Sequence, residues 1–545
     1  MALDEQLRAA TEQWIADDID EGSRAELQQL LDTDSPELAD RMSGLPSFGT
    51  AGLRAPVRAG ANGMNRAVVV RTTAGVAAWL TEQGHRGGIV VIGRDARHGS
   101  EEFATDSAGV LAAAGFDVRM LPSPLPTPVL AHATRTLDAV AGIQITASHN
   151  PPADNGYKLY LSGGIQLVGP ADTEIEAAIA EAPAASAVPR SRSWSIADSA
   201  PDQYVSRVAL LPRGGDRELR VAATALHGVG ARTLKQALRR AGFEDVHLVS
   251  SQADPDPDFP TVGFPNPEEP GATDELVKLA ADIDADLAIA LDPDADRCAL
   301  GVPTGDGWRM LRGDETGVLL AWHVLSTLDP EEHPDPLVAT TIVSSSMLGS
   351  IAAEFGARYA ETLTGFKWLV RAGEDGGGTG LVYAYEEALG HSVDPERVRD
   401  KDGISAAVLA CDLTASLIAS DDHLLDLLDE LSIEHGVHET GQVSVRVTDL
   451  DVIARTMRRL REQPVTELAG TGVSTRDLLP ESDGLVLTGE GGLRVVIRPS
   501  GTEPKLKCYL QVVEQAAGDL PGAKRRAAER LERLRRAVSE LVGDR

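Results

Sequence analysis

The chain has 545 residues, a length that at roughly 100–200 residues per domain implies about three to five domains. Hydrophobic residues at 42% and charged residues at 25% are in ordinary globular proportion, which excludes disorder, a fibre or a disulfide scaffold as a description of the whole chain. A net charge of −32 argues against nucleic acid or an anionic membrane as partner, since either needs a basic footprint.

In chain order, Met1–Asp32 reads as one acidic amphipathic helix carrying Leu7, Trp14, Ile15, Leu27, Leu30 and Leu31. It lacks the basic start and long apolar core of a signal peptide, and no stretch reaches the roughly 20 apolar residues of a membrane span. With three widely spaced cysteines, Cys298, Cys411 and Cys508, the expected compartment is a reducing cytoplasm.

Short apolar runs then alternate with helical patterns such as Ser100–Ala114, Thr273–Ala281 and Ser344–Phe355, the mark of α/β layers with mixed or parallel sheets. Gly88–Gly93 leads into Arg94-Asp-Ala-Arg97, and Val140–Ile145 into Thr146-Ala-Ser148-His-Asn-Pro151. Leu287–Leu291 leads into Asp292-Pro-Asp-Ala-Asp-Arg297, and Gly380–Tyr385 into Glu386-Glu-Ala-Leu-Gly-His391. Runs of this kind are strands buried on both faces, and open α/β sheets bind ligands beyond the C-terminal ends of such strands.

Ser148 beside His149 invites a hydrolase reading, but adjacent side chains rarely face each other and no G-x-S-x-G elbow is present. Read alone, the segment is a turn; beside a cation site, its serine could carry a phosphoryl group. Glu181–Ala200, rich in Ala, Ser and Pro, reads as a surface excursion, and Asp254–Asp258 as a plain loop. Asp292, Asp294 and Asp296 alternate directly after a strand, so that three carboxylates converge on one hard cation. An EF-hand is rejected, because Arg297 and Pro303 stand where its glycine and glutamate belong, and the apolar Leu287–Leu291 speaks against a merely solvated acidic turn. Gly376–Gly380 reads as a loop entering a strand. After the strand Leu493–Ile497, Arg498-Pro-Ser500-Gly501-Thr502-Glu-Pro-Lys505 concentrates hydroxyls, amides and cations suited to phosphate oxygens. Pro521–Leu541 is a long helix whose arginines read as a solvated face. Only eight lysines occur, and five of them (Lys158, Lys367, Lys401, Lys505 and Lys507) fall in or beside these loops.

The serine loop, the aspartate loop, the Glu386-Glu387 loop and the Arg498–Lys505 loop follow the order of the α-D-phosphohexomutase superfamily, which this chain resembles from about Phe48 to Tyr509. Phe48-Gly-Thr-Ala-Gly-Leu-Arg54, Ala225–Gly230, Thr364-Gly-Phe-Lys-Trp368 and Lys401-Asp-Gly403 look most like its phosphoglucomutase-2/phosphopentomutase branch. The resemblance implies an α/β protein of four domains in a heart shape, three related mixed-sheet domains and a smaller C-terminal α+β domain, divided here as 1–211, 212–312, 313–438 and 439–545. It implies a phosphate on Ser148 and Mg²⁺ held by Asp292, Asp294, Asp296 and a phosphoserine oxygen. The phosphate would pass to a sugar monophosphate, and the resulting bisphosphate would reorient and return its other phosphate to Ser148. Lys158 would be the general acid/base, with Arg54, His149 and Arg297 beside the reacting group. Thr364, Gly365, Lys367, Glu386 and Glu387 would meet the sugar, and Arg498, Ser500, Gly501, Thr502 and Lys505 the non-reacting phosphate. A sugar bisphosphate such as glucose 1,6-bisphosphate is the implied activator, and a monomer or homodimer the implied state.

One departure bears on specificity. The hexose-reading loop of the family is often Gly-Glu-x-Ser-Gly-His, whereas here the serine is replaced by Ala388 or Leu389, depending on alignment. Losing that hydroxyl weakens strict hexose recognition and keeps a pentose phosphate as the alternative to glucose or mannose phosphate. His391 is either a second proton carrier or a hydrogen-bonding loop histidine. Two other classes remain as contrasts: a phosphatase, in which water takes the phosphate, and a non-catalytic sugar-phosphate sensor.

Overall fold

The structure, a computed structural model, describes residues 4–47, 52–373, 379–447, 450–500 and 505–543. It separates into two compact units, residues 1–310 with 390–415, and residues 311–389 with 416–545.

The first unit opens with two helices rather than one. Glu5–Asp17 and Glu21–Asp32 are split because the Asp20 side chain accepts a hydrogen bond from the Ser23 amide and so caps a new helix start. Their apolar sides still do what their pattern requires: Leu27 and Leu31 are buried with Leu38 and Ala59.

A seven-stranded mixed sheet follows, in the order Leu53–Pro56, Asp154–Leu161, Ala141–Ile145, Ile89–Arg94, Asp117–Met120, Ser195–Ile196, with Ile165–Gln166 on Asp154–Leu161. Ile89–Arg94 runs parallel to both of its neighbours, while Asp154–Leu161 is antiparallel to Leu53–Pro56 and Ala141–Ile145. The Glu181–Ala200 segment is thus more than an excursion: Ala185 and Val188 are buried against Ala67, Val70 and Val110, and Ser195–Ile196 extends the sheet edge.

The second sheet orders Gly307–Met310, Cys298–Thr304, Leu287–Leu291, Val221–Thr224, Val246–Leu248, the last three parallel. All five residues of Leu287–Leu291 are fully buried, as an unbroken apolar run requires. Two backbone approaches demand glycine. A Cβ on Gly156 would lie 2.5 Å from the Thr146 carbonyl oxygen, and one on Gly228 would lie 2.3 Å from Cα of Pro293.

In the second unit, Arg358–Thr362, Leu337–Thr341 and Leu381–Glu386 pair in parallel. A six-stranded antiparallel sheet follows, in the order Val437–Arg446, Lys505–Glu514, Leu493–Pro499, Leu485–Gly489, Thr471–Asp477, Glu467–Leu468. Alternate residues divide its faces: Val495, Ile497, Cys508 and Leu510 meet Met457, Leu531 and Val538 of the helices Leu450–Glu462 and Leu520–Val542, while Val486 and Val496 pack with Ile342 and Val343. The arginine face of the last helix is only partly solvated. Arg530 donates to the carbonyls of Glu490, Gly491 and Val513, and Arg535 to that of Gln442. The three cysteines are buried and unpaired. Among the described residues no helix is long and apolar enough to cross a membrane.

Candidate active site

The buried strand Ala141–Ile145 delivers Ser148 three residues past its end, in the left-handed region at φ 55°. The Ser148 amide donates to Thr146 Oγ1 (2.9 Å). Its hydroxyl donates to Asp292 Oδ2 (2.9 Å) and lies 3.3 Å from His149 Nδ1. Asp292 follows Leu287–Leu291 directly, and the alternating aspartates fold into one cluster whose ligand oxygens lie within 4.8 Å of one another, all fully buried.

Cations compensate this charge from several elements. Lys158 Nζ, on the strand Asp154–Leu161, donates to Asp294 Oδ2 (2.6 Å) and Asp296 Oδ2 (2.7 Å). Lys401 Nζ stands 3.3 Å from Asp296 Oδ2, and the Arg297 amide donates to Asp292 Oδ1 (3.0 Å). Arg54 reaches Asn150 Oδ1 (3.2 Å) from a strand paired with the one bearing Lys158. Burial and the neighbouring carboxylates push Asp292 well above the usual carboxylate range. Burial pushes Asp294 the same way, but the Lys158 charge and the hydrogen bonds from Lys158 and Thr127 outweigh it and hold its carboxyl below that range. For Lys158, burial is outweighed by Asp294 and Asp296, so the ammonium stays charged. His149 is driven well down by burial and then by Arg297 and Arg54, and it is neutral. His391 is fully buried, pushed to about 3 by burial against a hydrogen bond with the Cys298 backbone.

The donor set fits a hard divalent cation. The Oδ1 atoms of Asp294 and Asp296 are buried without a hydrogen-bond partner, a costly arrangement unless a ligand takes them, and all-oxygen carboxylate sets suit Mg²⁺.

The first unit thus gathers Ser148, His149, Lys158, Arg54, Arg297 and the aspartate triad, while His391 bonds the backbone of Cys298, two residues past Asp296. Sequence reasoning left Thr127, Asn150, Arg97 and Lys401 out of the site. Of these, Lys401 carried a signal as one of few lysines in a loop, and Arg97 and Asn150 stood in strand-end loops without an assigned role.

The loops expected to meet the sugar and its other phosphate lie in the second unit. Glu387 accepts from Ser344 Oγ (3.0 Å) and Thr341 Oγ1 (3.3 Å), and Leu389 is buried at φ 64°. The helix Phe366–Leu369, with Lys367 over the Trp368 ring, follows Thr364 and Gly365 and packs on Leu381–Glu386. Arg498 and Pro499 end the strand Leu493–Pro499, and the Ser500 amide donates to the Lys505 carbonyl (2.8 Å), closing the phosphate-type loop at its base. Gly501 and Thr502 lie outside the described residues, as do Phe48–Ala51 and Gly376–Gly378.

Burial, then Glu386 and Asp314, raise Glu387 from an ordinary 4.5 to about 7. The folded state therefore holds a proton that the unfolded state releases between these values, so stability falls as pH rises through this window and the deficit is full above it. Glu387→Gln removes the titration. It should gain roughly 1–3 kcal/mol on the native chain at pH 8, allowing for partial exposure, and nothing at pH 4. Denaturation midpoints of both proteins at the two pH values measure this; an equal shift at both would contradict it.

A serine hydroxyl on a buried aspartate triad joins a phosphoryl acceptor to a cation site, the set that metal-assisted phosphoryl transfer uses. Four family models describe the chain in sequence: phosphoglucomutase/phosphomannomutase α/β/α domain I over residues 46–185, domain II over 202–305, domain III over 312–432 and the C-terminal domain over 443–520. A Haemophilus influenzae protein named "Probable phosphomannomutase" is 42% identical over 82% of this chain and 93% of its own. Human phosphopentomutase is 30% identical over 99% and 95%, and human glucose 1,6-bisphosphate synthase 31% over 93% and 90%. In fold, the chain is similar to a phosphoglucomutase/phosphomannomutase family protein of Burkholderia thailandensis (TM-score 0.68, 23% identity, covering 89% and 97%). It is similar also to Paramecium parafusin (TM-score 0.69, 18% identity, covering 91% and 96%). The chain belongs to the phosphoglucomutase/phosphomannomutase family and is a phosphosugar mutase, an isomerase.

Proposed function

We propose that the chain interconverts the 1- and 6-phosphates of glucose or mannose, with Ser148 carrying the phosphoryl group between them. The single observation that carries this reading is the Ser148 hydroxyl on Asp292 at the mouth of the buried triad. From phosphorylated Ser148, the sugar hydroxyl oxygen attacks phosphorus as the bond to Oγ breaks. Lys158, held charged by two aspartates, protonates the departing Oγ; the hydroxyl proton passes to a neutral acceptor, for which His149, 3.3 Å from the Ser148 hydroxyl, is better placed than the buried His391. The bisphosphate turns over, its second phosphate passes to Ser148 with the proton movements reversed, and the isomer leaves. Arg54 and Arg297 offset charge on the transferring group, and Asp292, Asp294 and Asp296 would hold Mg²⁺, which would supply divalent charge for phosphoryl transfer.

In the second unit Glu386, Glu387, Thr364, Gly365 and Lys367 would orient the sugar, and Arg498, Ser500, Gly501, Thr502 and Lys505 would hold its other phosphate. Glucose 1,6-bisphosphate is the expected primer of Ser148, the four parts divide at 211, 312 and 438, and the expected setting is cytoplasmic, as monomer or homodimer. Ribose or deoxyribose phosphate is the second reading, favoured by Ala388 and the buried Leu389 where hexose-specific loops carry a serine.

Turnover of glucose 1-phosphate, mannose 1-phosphate and ribose 1-phosphate, with Mg²⁺ and trace bisphosphate, tests both readings when isomer and free phosphate are followed together. Hexose isomerisation fastest and without phosphate release is expected. A faster pentose establishes the second reading, and phosphate without isomer contradicts both.

A further inference from the structure

One buried side chain beside Ser148 spends its terminal donors on the backbone of the serine loop. Arg97, 4% exposed, sits at the end of the strand Ile89–Arg94 and spends both terminal nitrogens on backbone carbonyls of the serine loop. Nη2 donates to the carbonyls of Ser148 (2.6 Å) and Asn150 (2.6 Å), and Nη1 to those of Pro151 (2.8 Å) and Asp154 (3.0 Å). Its Nε faces Asp95 at 3.4 Å, and Asp95 is itself fixed by the Arg97 amide (2.9 Å) and Ser100 Oγ (2.6 Å). The Phe259 ring covers the guanidinium at 4.9 Å, so the Asp254–Asp258 loop leads into a residue that packs on this group.

We infer that Arg97 is the positioning residue of the reaction: a clasp that gathers four carbonyls of residues 148–154 and so holds Ser148 in its left-handed conformation, aimed at Asp292. The inference rests on Ser148 being the phosphoryl carrier. The left-handed region is unfavourable for serine and persists only where surroundings impose it. Here the same nitrogen that holds the Ser148 carbonyl also holds that of Asn150, which bends the chain around one point. Only a guanidinium holds all four carbonyls, because its two terminal nitrogens present four donors in fixed directions, whereas an ammonium offers three from a single atom. The charge of Arg97 is matched by Asp95 and its terminal donors are taken up by the loop, so it serves the serine rather than the substrate.

Arg97→Lys keeps the charge and loses the fork. The expected result is a kcat lower by about 100-fold, the loss that a misplaced reacting group brings, with KM changed by less than about threefold. Amide hydrogen exchange across residues 149–154 should accelerate while the strand Leu287–Leu291 stays protected. Phe259→Leu, which leaves every hydrogen bond in place, should lower kcat by about fivefold through the lost ring contact, again without moving KM. A kcat within about twofold of the native value in both variants, or a loss carried by KM, overturns the clasp. Ser148→Ala, assayed beside them, separates the two ideas: its full activity would refute the phosphoserine reading, whereas an inactive Ser148→Ala beside an unaffected Arg97→Lys refutes the clasp alone.

Discussion

Ser148→Ala is expected to lower mutase turnover by about 10⁴-fold or more, with the fold intact. The substitution removes the oxygen that forms the covalent bond, so it removes the reaction path rather than an assisting contact. Its structural cost is small by comparison. One hydrogen bond to Asp292 Oδ2 is lost, worth roughly 1–2 kcal/mol in a buried site, and alanine occupies φ 55° at much the same cost as serine. The aspartate triad is untouched, so added Mg²⁺ should still raise the melting temperature. Intact mass after incubation with glucose 1,6-bisphosphate should gain one phosphate in the native chain and none in the variant. Retention of more than about a tenth of native turnover would place the carrier elsewhere, since losing an obligatory nucleophile leaves only residual catalysis.

That the meeting of three aspartates can be read from the chain, while the contacts of Arg97 cannot, has a physical cause. The triad announces itself locally: five apolar residues bury a strand on both faces, and three alternating carboxylates at its end have no apolar partner to meet. Ser148 gains its meaning only from neighbours, since Thr-Ala-Ser-His-Asn-Pro alone describes a turn; its hydroxyl meets an aspartate 144 positions later. Arg97 binds carbonyls, which every residue carries, so no residue type across the 51 to 57 intervening positions betrays the contact. Thr127, whose hydroxyl donates to Asp294 across 167 positions, was hidden for the same reason. The N-terminal segment shows the opposite failure. Its apolar spacing was legible, but the competing helix start at Asp20 depends on one side-chain hydrogen bond that a hydrophobic pattern does not register.

Lys158→Met is expected to be the most destabilising single change at the site, and its cost should depend on Mg²⁺. Lys158 is 2% exposed and bridges Asp294 and Asp296, both fully buried. Removing one partner of a buried ion pair costs about 3–5 kcal/mol, and here two carboxylates lose it together, leaving Asp296 with Lys401 at 3.3 Å and Asp294 with the Thr127 hydroxyl. Methionine fills most of the lysine volume, so the loss reports charge rather than a cavity. A divalent cation on the triad supplies the missing positive charge, so Mg²⁺ should raise the melting temperature of Lys158→Met by more than it raises that of the native chain. Activity should not follow stability. Even at saturating Mg²⁺ the variant has no ammonium to protonate the departing Ser148 oxygen, and kcat should stay lower by about 10²–10⁴-fold. Recovery of both stability and turnover with Mg²⁺ would reduce Lys158 to a charge that the metal can replace. Recovery of neither would mean that the aspartates, without their lysine, no longer form a cation site, and the ammonium would then be what holds the three carboxylates together.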